Sequence, residues 1–290
     1  MADKSAPADT PVVSARGRVR RLTVNADDFA WSKSVNLGIV ETHRDGIVTG
    51  SSIIAAGSAF DHAVELTRAT PTLAMGMHLN IFRGFTVLSP ERVPTLVGQD
   101  GRLLGSWKPV IARLATGRMN LGEVESELRA QIDKVLAAGI TPTHFDSEKH
   151  LHLWPSVFKI VSRLAVEYEV PRVRVVREPF SLKVIPRGLT LLSAGNARFA
   201  ESLGLSVPDA TIGVTEPPVD DEALKRLLAH PQGEDVELIV HPGHVDDEFW
   251  ELQGQINNRL TCSREEELRV LADPRSRQLV AEAGFTLAAQ

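Results

Sequence analysis

The sequence predicts an α/β fold: an irregular (β/α) barrel in the first place, a doubly wound open sheet in the second. Three observations carry this. Apolar, β-branched runs alternate with segments of helical periodicity along most of the chain, the pattern of parallel strands joined by helices. Several strand-like runs end in acids or histidines, at the edge where such sheets place their sites. A length of 290 residues, 43% hydrophobic and 24% charged, suits one such barrel.

The first strand spans Arg21 to Phe29, an apolar run that ends in the adjacent carboxylates Asp27 and Asp28. Side chains alternate along a strand, so the two acids are expected to meet different surroundings, one holding a cation and the other free to move a proton. In isolation the pair would equally suit a helix N-cap and its first turn. A helix follows from Ser32 to Gly46, with Val35, Leu37, Ile39 and Val40 at its apolar positions and Asp45-Gly46 as its stop. The run 47–55 is the second strand, 61–70 the second helix, and 73–80 the third strand, with His78 at its C-terminal end.

Residues 82–107 form a Pro- and Gly-containing excursion without periodicity, which in a compact domain points to a functional loop. A helix over 120–138 is marked by Leu121, Val124, Leu128, Ile132, Val135 and Leu136 and stopped by Gly139. A short strand over 143–146, a helix over 155–168 and a strand over 171–176 come next. Residues 180–208 scatter apolar and basic residues in the manner of a helical insertion. The remaining elements are strands at 210–214, 235–241 and 285–287 and helices at 220–228, 265–272 and 275–284.

The net charge of −5 gives no footprint for nucleic acid. No G-x-G-x-x-G or P-loop pattern is present. Cys262 is the single cysteine, which excludes a disulfide framework and a multi-cysteine zinc site. No run of about 18 apolar residues occurs. Residues 1–20, rich in Ala, Pro and Ser, read as a disordered lead-in without a secretory core. A single domain over 21–290 in the cytoplasm is therefore expected.

The candidate chemistry sits at four strand ends: Asp27 and Asp28, His78, the cluster His144, Asp146, Glu148, His150 and His152, and His241. A parallel barrel brings such ends to one face. Carboxylates and imidazoles gathered there can hold a divalent cation that activates water. The cluster alternates polar residues with Phe145, Ser147, Lys149 and Leu151, which would put its polar side chains on one face of an extended segment. Any one of these histidines alone would read as a hydrogen-bonded core residue or a turn cap. The convergence of the set is what favours a metal site.

Asn25-Ala-Asp-Asp-Phe29, Gly76-Met-His-Leu79, Thr143-His-Phe-Asp-Ser147 with His150-x-His152, and His241-Pro-Gly243 stand in the order of the YdjC-like carbohydrate deacetylases. This resemblance runs from about Arg21 to the C-terminus, and the form Asp146-Ser-Glu-Lys-His-Leu-His152 is most similar to the hopanoid-biosynthesis-associated branch. It implies an irregular barrel, Asp27 as general base, and Asp28 and His78 as ligands of one divalent ion, zinc, magnesium or another first-row cation. The third ligand of the family is a histidine directly after the Asp-Ser pair. Glu148 stands there in this chain. Either Glu148 completes a harder, more anionic site, which is the assignment adopted, or His150 or His152 takes the place. In the first case those two histidines contact the substrate.

Metal-assisted hydrolysis of an acetamide would then use His241 as the acid for the departing amine, since imidazole titrates in the useful range. Arg174, near the end of the 171–176 strand, would orient Asp27. The implied substrate is an N-acetylglucosaminyl hopanoid, with peripheral contact to a membrane through the apolar segment Phe180 to Leu205. A soluble chitooligosaccharide is the nearest alternative. A metal phosphodiesterase and a non-catalytic sugar-lipid binding protein are further ones.

Overall fold

The computed structural model describes residues 20–178, 184–214, 219–229, 233–253 and 263–290. Cys262, His230, Phe180, Leu182 and the side chains of Val184, Ile185 and Leu189 lie outside that set, as does nearly all of the expected lead-in.

Seven strands, β1 (Arg21–Phe29), β2 (Gly50–Ile53), β3 (Ala74–Leu79), β4 (Phe145–Ser147), β5 (Ala210–Ile212), β6 (Asp235–Val240) and β7 (Thr286–Leu287), make one sheet. Its order is β4-β3-β2-β1-β6-β5, with β7 beside the start of β1, and every pairing is parallel. β1 is buried from Leu22 onward, which is why it reads as a continuous apolar run rather than an alternating one.

Between the two edges lies the segment 171–177. The Phe145 N–H donates to the Arg172 carbonyl (2.9 Å) and the Arg174 N–H to the Phe145 carbonyl (2.9 Å). On its other side the Val173 N–H reaches the Ser206 carbonyl (3.1 Å) and the Thr211 N–H the Arg177 carbonyl (3.0 Å). The curled sheet is thus bridged from β4 to β5 by an irregular segment where a regular strand was expected, and the barrel reading holds. Arg174 lies in this segment, and its side chain reaches Asp27 at the end of β1.

The helices are α1 (Lys33–Asp45), α2 (Phe60–Ala69), α3 (Trp107–Ala115), α4 (Leu121–Ala137), α5 (Pro155–Glu167), α6 (Val184–Ser202), α7 (Asp221–Ala229), α8 (Asp247–Gln253), α9 (Arg264–Ala272) and α10 (Pro274–Glu282). Local chemistry sets their starts. Ser32 Oγ accepts the Val35 N–H at the start of α1, and Asn120 Oδ1 accepts those of Gly122 and Glu123 at the start of α4. α4 buries Val124, Leu128, Ile132 and Val135, the stripe that its sequence spacing announces. No helix among the described residues is long and apolar enough to cross a membrane.

Gly76 in β3 is required by close approach. A Cβ there would lie 2.1 Å from Cε1 and 2.3 Å from both ring nitrogens of the buried His144. Gly76→Ala is expected to destabilise the fold by about 1–3 kcal/mol through overpacking. Urea denaturation of the variant checks this, and a loss under about 0.5 kcal/mol would mean that His144 rotates away freely.

Candidate functional site

Strand register assembles the site. Ala26 pairs with Val240 and with Ser51, His78 with Asp146, so Asp27, His241, Ser52, His78 and Asp146 all arrive at the same edge of the sheet. The alternation expected of Asp27 and Asp28 is broken at this point. The register of β1 against β2 shifts between Ala26 and Phe29, and Asp28 has φ +71°. The two carboxylates consequently flank the same imidazole. Asp27 Oδ2 is 3.9 Å from His78 Nδ1 and Asp28 Oδ1 is 3.7 Å from His78 Nε2.

Each acid has its own guanidinium. Arg174, fully buried, donates from Nη1 to Asp27 Oδ2 (2.9 Å) and from Nη2 to Asp27 Oδ1 (2.8 Å). Its Nη2 also lies 2.8 Å from Asp146 Oδ2, and its Nε donates to Glu237 Oε1 (2.8 Å). Asn25 Nδ2 adds a bond to Asp27 Oδ1 (2.9 Å). Asp28 Oδ2 is paired with Arg264, and Asp28 Oδ1 is 3.5 Å from Arg83 Nη2. The expected partnership of Arg174 with Asp27 is therefore present in the geometry. Arg83 and Arg264 carried no sequence signal beyond their charge.

These pairings set the charges. Burial opposes the ionised form of Asp28, but Arg264 and then Arg83 hold its carboxyl well below the usual range. Asp27 and Asp146 are buried against ionisation too, and Arg174 brings both below their ordinary values. Burial lowers the His78 imidazole, yet Asp146 and Asp27 outweigh it and push it up to about 9.

Asp27, His78 and Asp146 are buried, and one donor atom of each lies within 4.8 Å of the others, so this group can hold a metal. Its donors are already engaged: His78 Nδ1 is 2.6 Å from Asp146 Oδ1, and Arg174 serves both carboxylates. The opposite edge of the ring, where Nε2 faces Asp28 Oδ1, keeps two donors directed at one space. A carboxylate bonded to the other nitrogen, as Asp146 is here, is the usual support of a metal-bound histidine. A cation there would replace the proton that Asp146 and Asp27 hold on the ring, and the donor chemistry of His78 Nε2 and Asp28 Oδ1 fits a divalent one.

The third expected ligand is already paired. Glu148 is buried and forms an ion pair with Arg83 Nε. Burial raises its carboxyl above the ordinary value, with Arg83 opposing. The cluster around it does not share one face, because the extended backbone stops at Ser147 and both Lys149 and His150 take φ +54°. Two consecutive non-glycine residues in the left-handed region cost of order 1–3 kcal/mol each and need support. Ser147 Oγ supplies it, accepting the His152 N–H (2.9 Å) and meeting His152 Nδ1 (2.6 Å). His152 Nε2 is 2.9 Å from the Arg174 carbonyl, so both ring nitrogens of His152 are engaged. His150 is half-buried and its Nδ1 has no hydrogen-bond partner. Burial, followed by the Arg174 charge, brings its pKa down to about 3.

His241 follows β6 and is half-buried. Burial pulls its imidazole down to about 4 against the pull of Asp27 and Asp28, so it is neutral at pH 7 and must gain a proton before it can give one. Its backbone N–H donates to Glu267 Oε2 (2.5 Å), whose carboxyl burial raises to about 7. A raised carboxyl binds protons in the folded state that the unfolded state has lost. Glu267 therefore makes stability fall as the pH rises from about 4.5 to about 7. Glu267→Gln is expected to remove that part of the slope. Urea denaturation from pH 4.5 to 8 checks it, and an unchanged difference between the proteins across the range would refute it.

The family model described as YdjC-like protein matches residues 21–282. A carbohydrate deacetylase of Geobacillus stearothermophilus is 30% identical over 270 residues, 92% of this chain and 96% of that protein. A carbohydrate deacetylase of Brevibacillus brevis is 43% identical over 151 residues, 52% of this chain and 58% of that protein. Among solved structures, one from Enterococcus faecalis V583, described as a candidate cellobiose-phosphate cleavage protein, superposes with a TM-score of 0.75 at 26% identity, covering 93% of this chain and 97% of the other. With nearly its whole length matched, the chain belongs to the YdjC-like protein family.

Proposed function

We propose that this protein is a metal-dependent carbohydrate N-deacetylase that hydrolyses the acetamide of an N-acetylglucosaminyl hopanoid, releasing acetate and a free glucosamine head group. The observation that carries the chemistry is a buried carboxylate, Asp27, clamped by Arg174 beside a second carboxylate and an imidazole that converge on one space. The carbohydrate deacetylase names of the two relatives support the substrate class. Asp28 and His78 would hold the ion, zinc, magnesium or another first-row divalent cation. When bound it would polarise the acetyl carbonyl and acidify water.

The chain's own residues supply the rest. Asp27, kept ionised by Arg174, takes the proton of the attacking water. The fork of Arg174 fixes the carboxylate in one orientation, so that little positioning is left for the transition state. His241, uncharged beforehand, receives a proton in the course of the reaction and passes it to the departing nitrogen. His150, with an open ring nitrogen, contacts the sugar.

For the lipid, α6 supplies the supporting feature: Leu191 is 78% exposed on it, with Leu192 37% exposed beside it. Apolar side chains so placed support peripheral contact with a membrane, which in this reading is the inner face met from the cytoplasm. The test is mass-spectrometric detection of acetate loss from N-acetylglucosaminyl hopanoid and from N-acetylated chitobiose, each with and without added divalent metal. Metal-dependent loss from the hopanoid is expected. Loss from chitobiose alone would keep the reaction and discard the lipid, and silence on both would overturn the deacetylase reading.

A further inference from the structure

We propose that Arg83 is a catalytic residue of the acetamide reaction, donating from Nη1 to the acetyl oxygen, and that Glu148 is its counter-ion and not a metal ligand. The inference rests on the deacetylase reading. Its starting point is the departure at Glu148, where the resemblance expects an imidazole.

Arg83 is only 2% exposed. Its backbone is fixed by Asn80, whose Oδ1 accepts the Arg83 N–H (3.2 Å) and whose Nδ2 donates to the Arg83 carbonyl (2.8 Å). The guanidinium carbon sits over the Trp31 ring, 3.8 Å from its centroid. Nε faces Glu148 Oε1 and Nη2 is 3.5 Å from Asp28 Oδ1, the same oxygen that faces His78 Nε2. Nη1 is buried and has no hydrogen-bond partner; Nε also makes no hydrogen bond but is met by the Glu148 carboxylate as an ion pair, so Nη1 is the one left with neither. A buried charged donor without a partner is costly, and it is explained when a ligand oxygen completes it. The space beside Asp28 and His78 is where the acetyl group must sit for Asp27 to act on it.

A guanidinium is permanently charged and presents several donors in one plane. Here one edge is spent on the two carboxylates and the other is left for substrate. In the reaction the water oxygen bonds to the acetyl carbon while Asp27 takes its proton. The carbonyl π pair moves onto oxygen, where Arg83 Nη1 meets the developing negative charge. Collapse restores the carbonyl and breaks the C–N bond as the nitrogen takes, by way of His241, the proton that Asp27 removed from the water, and the free amine leaves with acetic acid, which ionises to acetate, as the second product. Glu148 keeps Arg83 in place and offsets its charge, so that Asp28 retains its own for a cation. An imidazole at 148 would leave Arg83 with Asp28 as its sole acidic neighbour and weaken that division.

The experiment combines steady-state acetate release with calorimetric zinc titration on wild type, Arg83→Met, Arg83→Lys, Glu148→Gln and the double variant Arg83→Met/Glu148→Met. For Arg83→Met, kcat is expected to fall by about 10²–10³-fold, with KM changed by less than about threefold. Glu148→Gln is expected to bind zinc within about threefold of wild type, whereas loss of a true ligand weakens binding by at least about tenfold. If Arg83→Met leaves Glu148 uncompensated and fails to fold, the double variant restores folding and carries the same kcat loss. A fall in KM performance with kcat intact would overturn the catalytic role. A tenfold loss of zinc affinity in Glu148→Gln would overturn the counter-ion role. Wild type silent on every acetylated sugar would overturn the deacetylase reading and the role of Arg83 with it, while the zinc titration would still judge Glu148.

Discussion

Replacing Arg174 by methionine is expected to cost the fold about 3–5 kcal/mol, the range for breaking a buried ion pair by removing one partner. Methionine fills much of the volume, so the loss is electrostatic more than steric. Asp27, Asp146 and Glu237, all buried, would keep their carboxylates and lose the one guanidinium that serves them together. The sign with pH follows from the depressed carboxyls. Asp27 and Asp146 have folded values below their unfolded ones, so the stability they contribute is present above the unfolded value, about 3.9, and is lost as the pH falls through the lower folded values. The gap between wild type and Arg174→Met should accordingly be widest near pH 7 and narrow toward pH 4, as the orphaned carboxyls become protonated. Arg174→Lys should fall between the two, because one ammonium cannot reproduce the planar fork. Urea denaturation of the three proteins at pH 7 and pH 4 reads this directly. A gap below 1 kcal/mol, or one indifferent to pH, would mean that the cluster is solvated or repacked without its arginine.

Arg174 also shows what a sequence can and cannot announce about a site. Its place near the end of a strand facing Asp27 was readable, because parallel strands carry their C-terminal residues to one edge. The strands themselves were readable as apolar β-branched runs, and β1 matches its expected bounds of Arg21 and Phe29. Less legible was anything decided by one backbone torsion. Positive φ at Asp28 and at Lys149 and His150 is invisible in composition, yet it places Asp28 against His78 and breaks the alternation that would put His150 and His152 on the face of Asp146. Charged residues in stretches without periodicity were missed for a related reason. Arg83 lies in an aperiodic excursion and Arg264 is paired with an acid 236 positions away, and such partnerships depend on tertiary approach alone. α3 has no clear signal in the sequence, and its Pro109 is tolerated because in the first turn its missing N–H leaves no bond unmade. The expected strand at 171–176 forms only isolated bridges, one to Phe145 and one to Ser206.

The two adjacent acids should separate by their response to metal. Asp27→Asn removes the proton acceptor and is expected to lower the rate of acetate release by about 10²–10⁴-fold, the usual worth of a general base. No excess of metal should restore it, and zinc affinity by calorimetry should stay near that of wild type, because Asp27 faces Arg174 and not His78 Nε2. Asp28→Asn acts on the other side of the ring. It takes a negative donor from the space opposite His78 Nε2 and leaves Arg264 and Arg83 facing a neutral amide, so two positive charges now repel an incoming cation. Zinc should bind at least about tenfold more weakly, and activity should return in part as metal is added. Adjacent positions, each losing one charge, would thus give opposite answers to the same titration. If metal rescued Asp27→Asn, the base would have been assigned to the wrong carboxylate. If Asp28→Asn bound zinc as wild type does, the cation would belong on the Asp27, His78 and Asp146 side, and Arg174 would have to share that cluster with it.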